Sequence, residues 1–172
     1  MKLPDISAIQ SDEALRQREF PVCADKVYLA HAGVSPLPAC VERAVNESVS
    51  TGTCNDQEEG LAELLRETRT RAAAMLGADY GEVALIGPTT AGLSAVAAGL
   101  DWQAGDEVLI YQDDFPVNVY PWLALEARGV KVRRLQTPAL GHITPEIVAE
   151  QLTDRTRLVA LASCHFVSGW RI

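Results

Sequence analysis

Ala84-Leu85-Ile86-Gly87-Pro88-Thr89-Thr90-Ala91-Gly92-Leu93-Ser94-Ala95-Val96 is the stretch whose reading decides the fold. An apolar, strand-like piece ends in a Gly-Pro turn, and two threonines then open an alanine-rich helical pattern. The N–H groups of a helix's first turn have no intrahelical partner, and the helix dipole adds partial positive charge beside them. With the hydroxyls of Thr89 and Thr90 next to those donors, the turn suits a phosphate monoester. The plainer reading is that Thr89 or Thr90 caps the helix and does nothing else.

Downstream of this turn the pattern alternates regularly. It predicts strands over 82–86, 107–112, 130–135 and 158–162, separated by helices over 90–99, 117–128 and 144–152. Thr144 and Pro145 mark the start of the last helix, and Gly105-Asp106 and Gly129 sit where turns are needed. Strands separated by helices in this rhythm give β-α-β units, hence an α/β fold with a mostly parallel sheet and flanking helices. In such sheets ligands collect beyond the carboxyl ends of the strands. That rule selects Gly87–Ala91, Asp113–Asn118 and Ser163–Gly169 as three segments along one rim.

Upstream, residues 1–80 read as a separate N-terminal segment with helices, and residues 81–172 as a β-α-β domain. Val27-Tyr28-Leu29 is strand-like, and glycine and two prolines punctuate Ala32–Pro38 as a loop. Helices are expected over 39–49 and 58–76, the second stopped by Gly77, with Arg66, Arg69 and Arg71 forming a solvated face.

Composition narrows the function classes. The chain has 172 residues, 48% hydrophobic and 22% charged, which fits a folded globular domain and not a disordered one. A formal net charge of -8 argues against nucleic-acid or anionic-membrane partners, while leaving room for a local anion site built from backbone donors. No apolar run approaches the roughly 20 residues that span a bilayer, and no secretory leader is evident, so a cytoplasmic location is expected. Cys23, Cys40, Cys54 and Cys164 are scattered, without the C-x-x-C spacing of a zinc site, and no metal is expected.

The second and third rim segments add candidates. Phe115 is placed either to stack on a planar heteroaromatic ligand or to pack under its own loop. Asn118 is a donor to a ligand oxygen or a helix cap. Asp113 and Asp114 read as solvated loop charge, since adjacent carboxylates point apart and lack a third ligand. His165 is a candidate for stacking, hydrogen bonding or proton transfer, against a purely structural role. Arg171 is suited to a substrate carboxylate, against simple fraying near the chain end. Neither G-x-G-x-x-G, G-x-x-x-x-G-K-[ST] nor G-x-S-x-G is present, which removes dinucleotide, P-loop and α/β-hydrolase readings.

Four landmarks together resemble one family. Tyr28-Leu29-Ala30-His31-Ala32-Gly33-Val34-Ser35-Pro36-Leu37-Pro38 resembles its opening Y-L-N-x-A-x-x-S-P segment. Gly87-Pro88-Thr89-Thr90-Ala91 resembles its phosphate loop, and Asp114-Phe115-Pro116-Val117-Asn118-Val119-Tyr120-Pro121-Trp122 the segment with its ring-stacking residue. Thr156–Leu161 through Ser168-Gly169 resembles its approach to the cofactor's 3-hydroxyl. The chain thus resembles the class V aminotransferase type of pyridoxal-phosphate enzymes, which includes cysteine desulfurases, isopenicillin epimerase-like proteins and kynureninases.

The resemblance implies part of the large domain of a fold-type-I enzyme, pyridoxal 5′-phosphate as cofactor, an amino-acid substrate and a homodimer. By position, Thr89, Thr90 and the Ala91 amide would hold the phosphate. Phe115 would stack on the pyridine ring, Asn118 would lie close to the cofactor or its phosphate, and His165 would fall near the 3-hydroxyl, with Phe166 on the desulfurases' asparagine. Ala30 and His31 depart from the family's commoner asparagine pair. Family enzymes bind the cofactor through a lysine and pair an aspartate with its ring nitrogen. Lys2, Lys26 and Lys131 do not stand in that context, so the resemblance implies that these groups lie beyond Ile172 and that no catalytic residue is present here. The reaction left open is desulfuration, epimerisation, side-chain cleavage or transamination. The competing reading is a non-catalytic fragment serving as a folding or dimerisation module.

Overall fold

The computed structural model describes residues 5–31, 33–56 and 58–172; Lys2, and Ala32 within the opening segment, lie outside them. The chain resolves into two units, one ending at Ala84 and one beginning at Leu85.

The first unit is helical. Helices α1 (Ile6–Ser11) and α2 (Glu13–Glu19) start on aspartates, the Asp5 carboxylate accepting from Ser7 N–H and Asp12 from Leu15 N–H. Helix α3 spans Ala39–Thr51 and α4 spans Leu61–Leu76, the latter bounded by Gly60 and Gly77, both at positive φ. The buried Glu19 carboxylate accepts from Cys40 N–H at 3.2 Å, placing negative charge at the positive end of α3. Val27–Leu29 forms no strand, and the chain there continues without a regular partner. Arg69 is not part of a solvated face. Its Nε donates to Val83 O at 2.7 Å, Nη2 donates to Tyr80 O at 3.0 Å, and its guanidinium lies 4.0 Å from the Tyr80 ring centre. Arg66 and Arg71 do lie on the surface, paired with Glu63 and Glu67.

The second unit is built on three parallel strands: β1 (Glu107–Ile110), β2 (Lys131–Arg134) and β3 (Thr156–Ala160). Their order is β2-β1-β3, with Val108 opposite Val132 on one side and Leu158 on the other. Central β1 is apolar on both faces because both are covered. Val108 and Ile110 pack with Trp102, Trp122 and Leu125, whereas Leu109 joins Tyr111, Leu135 and Ile143 on the opposite face. Helix α5 (Thr89–Gly99) and the short α6 (Tyr120–Leu123) flank the sheet; α7 (Pro145–Gln151) starts as expected, Thr144 Oγ1 accepting from Ile147 N–H.

Two expected elements differ. Residues 82–86 form no strand: a 3-10 turn covers Tyr80–Glu82, and Val83–Ile86 runs on without a ladder partner. The helix expected over 117–128 is broken into a 3-10 turn at Pro116–Asn118, α6, and a 3-10 stretch at Ala124–Arg128. Pro121, which has no N–H to give, sits at the start of α6.

At the other end of the sheet Asp106 accepts from Gln103 N–H at 2.8 Å and from Arg157 Nη1 at 2.8 Å. The Gln103 amide first, and then Arg157, hold its carboxyl below the ordinary aspartate value. A depressed carboxyl contributes stability above its unfolded value and loses it as pH falls toward the folded one. Urea midpoints measured against pH are therefore expected to fall on acidification below about pH 4, with a shallower fall in Asp106→Asn.

Candidate functional site

The carboxyl ends of β1 and β3, with the start of α5, form the rim. After β1 the chain turns at once: Asp114 N–H donates to Tyr111 O at 3.2 Å, and Asn118 N–H to Phe115 O at 2.8 Å. This turn buries Asp114, contrary to its reading as solvated charge. Its Oδ1 accepts from Phe115 N–H at 2.7 Å, and its Oδ2 from Asn118 Nδ2 at 2.9 Å and Ala162 N–H at 3.0 Å. Trp122 Nε1 completes the chain by donating to Asn118 Oδ1 at 3.3 Å. The i, i+4, i+8 spacing of Asp114, Asn118 and Trp122 was the signal available in the sequence. Phe115 is 52% exposed, so its ring does not serve to fill the core.

After β3 the chain closes on itself. His165 N–H donates to Trp170 O at 2.8 Å, Ile172 N–H donates to Ser163 O at 3.1 Å, and Cys164 bridges Arg171. Arg171 is thus tied into this loop by backbone pairing. His165 is buried and fully engaged: Nε2 donates to Asp113 O at 3.0 Å, and Nδ1 accepts from Ser168 N–H at 3.1 Å. A carbonyl can only accept, so this network assigns the ring proton to Nε2. His165 lies edge-on to Tyr111, with ring centres 5.7 Å apart, and 5.2 Å from Phe166. Phe166 in turn meets Phe115 edge-to-face at 5.4 Å and 87°. The rim therefore carries a ladder of four rings, Tyr111, His165, Phe166 and Phe115.

Gly141 locks this ladder in place, and nothing in the sequence reading singled it out. Its φ is +70°, and its N–H donates to Tyr111 Oη at 2.9 Å. A Cβ there would stand 2.6 Å from Ser168 Oγ and closer still to the His165 ring.

Helix α5 begins at Thr89 with Pro88 as the residue before it, and neither threonine side chain caps it. The N–H groups and hydroxyls of Thr89 and Thr90 have no partner among the described residues. The Ala91 amide differs: it already donates to Pro88 O at 2.8 Å. Gly87 is open, with nothing within 4 Å of a Cβ built there. Helix α5 packs against the Pro116–Asn118 turn of the second rim segment. A shallow hollow of about 270 Å³ lies beside them, lined by Leu93, Val96, Asn118, Trp122 and residues 158–161. Among the described residues no group of His, Cys, Asp and Glu side chains is arranged to hold a metal ion.

With this geometry in view, the comparisons with known proteins are unambiguous about class. The chain matches the family described as aminotransferase class-V over residues 27–172, and it belongs to that family. It is 30% identical over 151 residues to a probable cysteine desulfurase of Methanothermobacter thermautotrophicus, covering 84% of this chain and 38% of that protein. It is 29% identical over 163 residues to cysteine desulfurase CsdA of Escherichia coli, covering 88% of this chain and 41% of that protein. The crystal structure of CsdA superposes with a TM-score of 0.78 at 26% identity, over 93% of this chain and 43% of that one. A C-DES variant, with glycine covalently linked to its PLP cofactor, gives a TM-score of 0.82 at 24% identity, over 91% and 43% of the two chains. The chain therefore spans about two fifths of the length of these relatives.

Gly141→Ala is expected to cost about 1–3 kcal/mol, since the added methyl meets packed atoms and strains a positive-φ position. Urea unfolding measures the loss, and the NMR signals of the His165 ring are expected to shift with it.

Proposed function

We propose that this chain carries the phosphate and ring contacts of a pyridoxal 5′-phosphate site in an enzyme of the cysteine desulfurase type, acting on an amino acid in the cytoplasm. The observation that carries this reading is the start of α5. There, two successive amides and two hydroxyls, at Thr89 and Thr90, are without partners among the described residues, beside the open turn at Gly87. Such a donor set matches a phosphate monoester dianion. The half-exposed Phe115 ring, on the turn that packs against α5, suits the flat heteroaromatic part of the same ligand. Family membership supports the same assignment, as do four cysteines with no disulfide for the compartment.

In this reading Thr89 and Thr90 bind the phosphate, and the start of α5 adds its dipole. The Ala91 amide, engaged within the first turn, contributes by fixing the helix geometry. Phe115 covers one face of the ring and excludes water from it. Asn118 turns toward Asp114 and Trp122, leaving one Nδ2 hydrogen and one Oδ1 lone pair for the ligand. His165 acts through position, since both its nitrogens are taken, and it sets the height of Phe166. When bound, pyridoxal phosphate supplies an electron sink for negative charge at the substrate's α-carbon. Lys131 opens β2 at the end of the sheet opposite the rim, and we assign the catalytic step to no residue of this chain. The bond broken is set by residues outside the contacts described here.

Pyridoxine 5′-phosphate, an alcohol that cannot condense with lysines, is the suitable binding probe. Thr90→Ala is expected to weaken its binding about tenfold, followed by quenching of tryptophan emission, because a charge-assisted hydrogen bond is lost. Unchanged affinity would sink the phosphate assignment.

Self-association belongs to the same proposal. Val41, Val45 and Val49 repeat every four residues on α3 and are 38%, 52% and 67% exposed, an apolar stripe that suits the partner copy of a homodimer. Val45→Glu is expected to shift the chain toward monomer in sedimentation velocity, leaving its circular dichroism unchanged.

A further inference from the structure

Asp114 is a buried acidic group at the rim to which the foregoing binding scheme gives no role of its own. It is 6% exposed, and among the described residues no cation pairs with it. A buried carboxylate without a counter-charge persists only where donors replace its water. Here three N–H groups do so, at 2.7, 2.9 and 3.0 Å. A hydroxyl could cap the turn, but only a carboxylate accepts from all three without presenting a hydrogen of its own.

The three donors belong to different parts of the rim. Phe115 N–H fixes the backbone that carries the exposed ring, at φ −57° and ψ 135°. Asn118 Nδ2 closes the turn beneath it. Ala162 N–H lies just beyond β3, at the root of the loop that carries Phe166. Both members of the edge-to-face Phe115–Phe166 pair thus hang from one carboxylate. Moving Asp114 moves both rings but leaves the start of α5 without a lost bond.

We propose that Asp114 is the positioning residue for ring recognition: it sets the Phe115–Phe166 pair at the height a flat heteroaromatic ligand needs. This rests on the cofactor reading given above. It acts through the two rings and through the Asn118 turn beneath them; it does not itself touch the ligand, and it makes no bond to the start of α5.

Two probes separate ring from phosphate, pyridoxine 5′-phosphate and inorganic phosphate, each titrated against the full chain. Asp114→Asn is expected to weaken pyridoxine 5′-phosphate about three- to tenfold and to leave inorganic phosphate within about twofold. Phe115→Leu is expected to do the same, and the double variant to lose no more than the single ones, because both remove one contact. If Asp114→Asn does not fold by circular dichroism, Asp114→Glu, which keeps the charge but displaces the oxygens, carries the same expectation. Equal losses on both probes, no loss on either, or additive losses with Phe115→Leu overturn the assignment. Failure of the cofactor reading is seen separately, as a Thr90→Ala variant that binds both probes normally, and it takes this inference with it.

Discussion

Everything on the rim depends on β1 being buried on both faces while its ends stay free. Val108 and Ile110 face one apolar layer and Leu109 and Tyr111 the other, so the strand can neither slip nor twist without exposing large side chains. Parallel pairing on both sides then sends β2 and β3 the same way as β1. The residues that leave β1 and β3 emerge side by side, close enough for Asp114 to reach Ala162. The constraint is topological before it is chemical. It explains why chemistry-bearing side chains gather at one end, while the other end is occupied by structural pairs such as Asp106 with Arg157.

The rim has two kinds of polar group, and their difference is informative. Those at Asp114, His165 and Gly141 are taken up by protein partners, which holds the ring ladder in place. Those at Thr89 and Thr90 have no such partners among the described residues. A site that needs a mobile anion held by fixed donors, next to a fixed apolar wall, is built from that combination.

Much of this was legible in the residues. The strands at 107 and 131 show as apolar or alternating runs after the glycine turns at Gly105 and Gly129, the third strand shows as an apolar run from Leu158 although it begins at Thr156, and α5 and α7 are announced by Pro88 and Thr144-Pro145. Val83–Ile86 is apolar and extended, yet a strand also requires a hydrogen-bonded neighbour, which no local pattern can supply. Pro121 was visible and breaks the helix expected around it. Asp114 and Asp113 look equivalent as letters; only the turn decides that one is buried with three donors and the other remains at the surface. Arg69 escapes a helix-face pattern for a similar reason, since its partners lie at Tyr80 and Val83, eleven and fourteen residues away. Gly141 draws its importance from His165 and Ser168, which are distant in sequence.

The two outer strands of the sheet are guarded unequally. Strand β2 carries Lys131, Arg133 and Arg134, of which Arg133 is paired with Glu107 at 3.3 Å, a margin rich in the cations that blunt sheet edges. On β3 the one cation, Arg157, is drawn back to Asp106, leaving Leu158 and the 39% exposed Val159 along an unprotected border. The two margins of the sheet in this unit thus differ in character, cationic along β2 and largely apolar along β3.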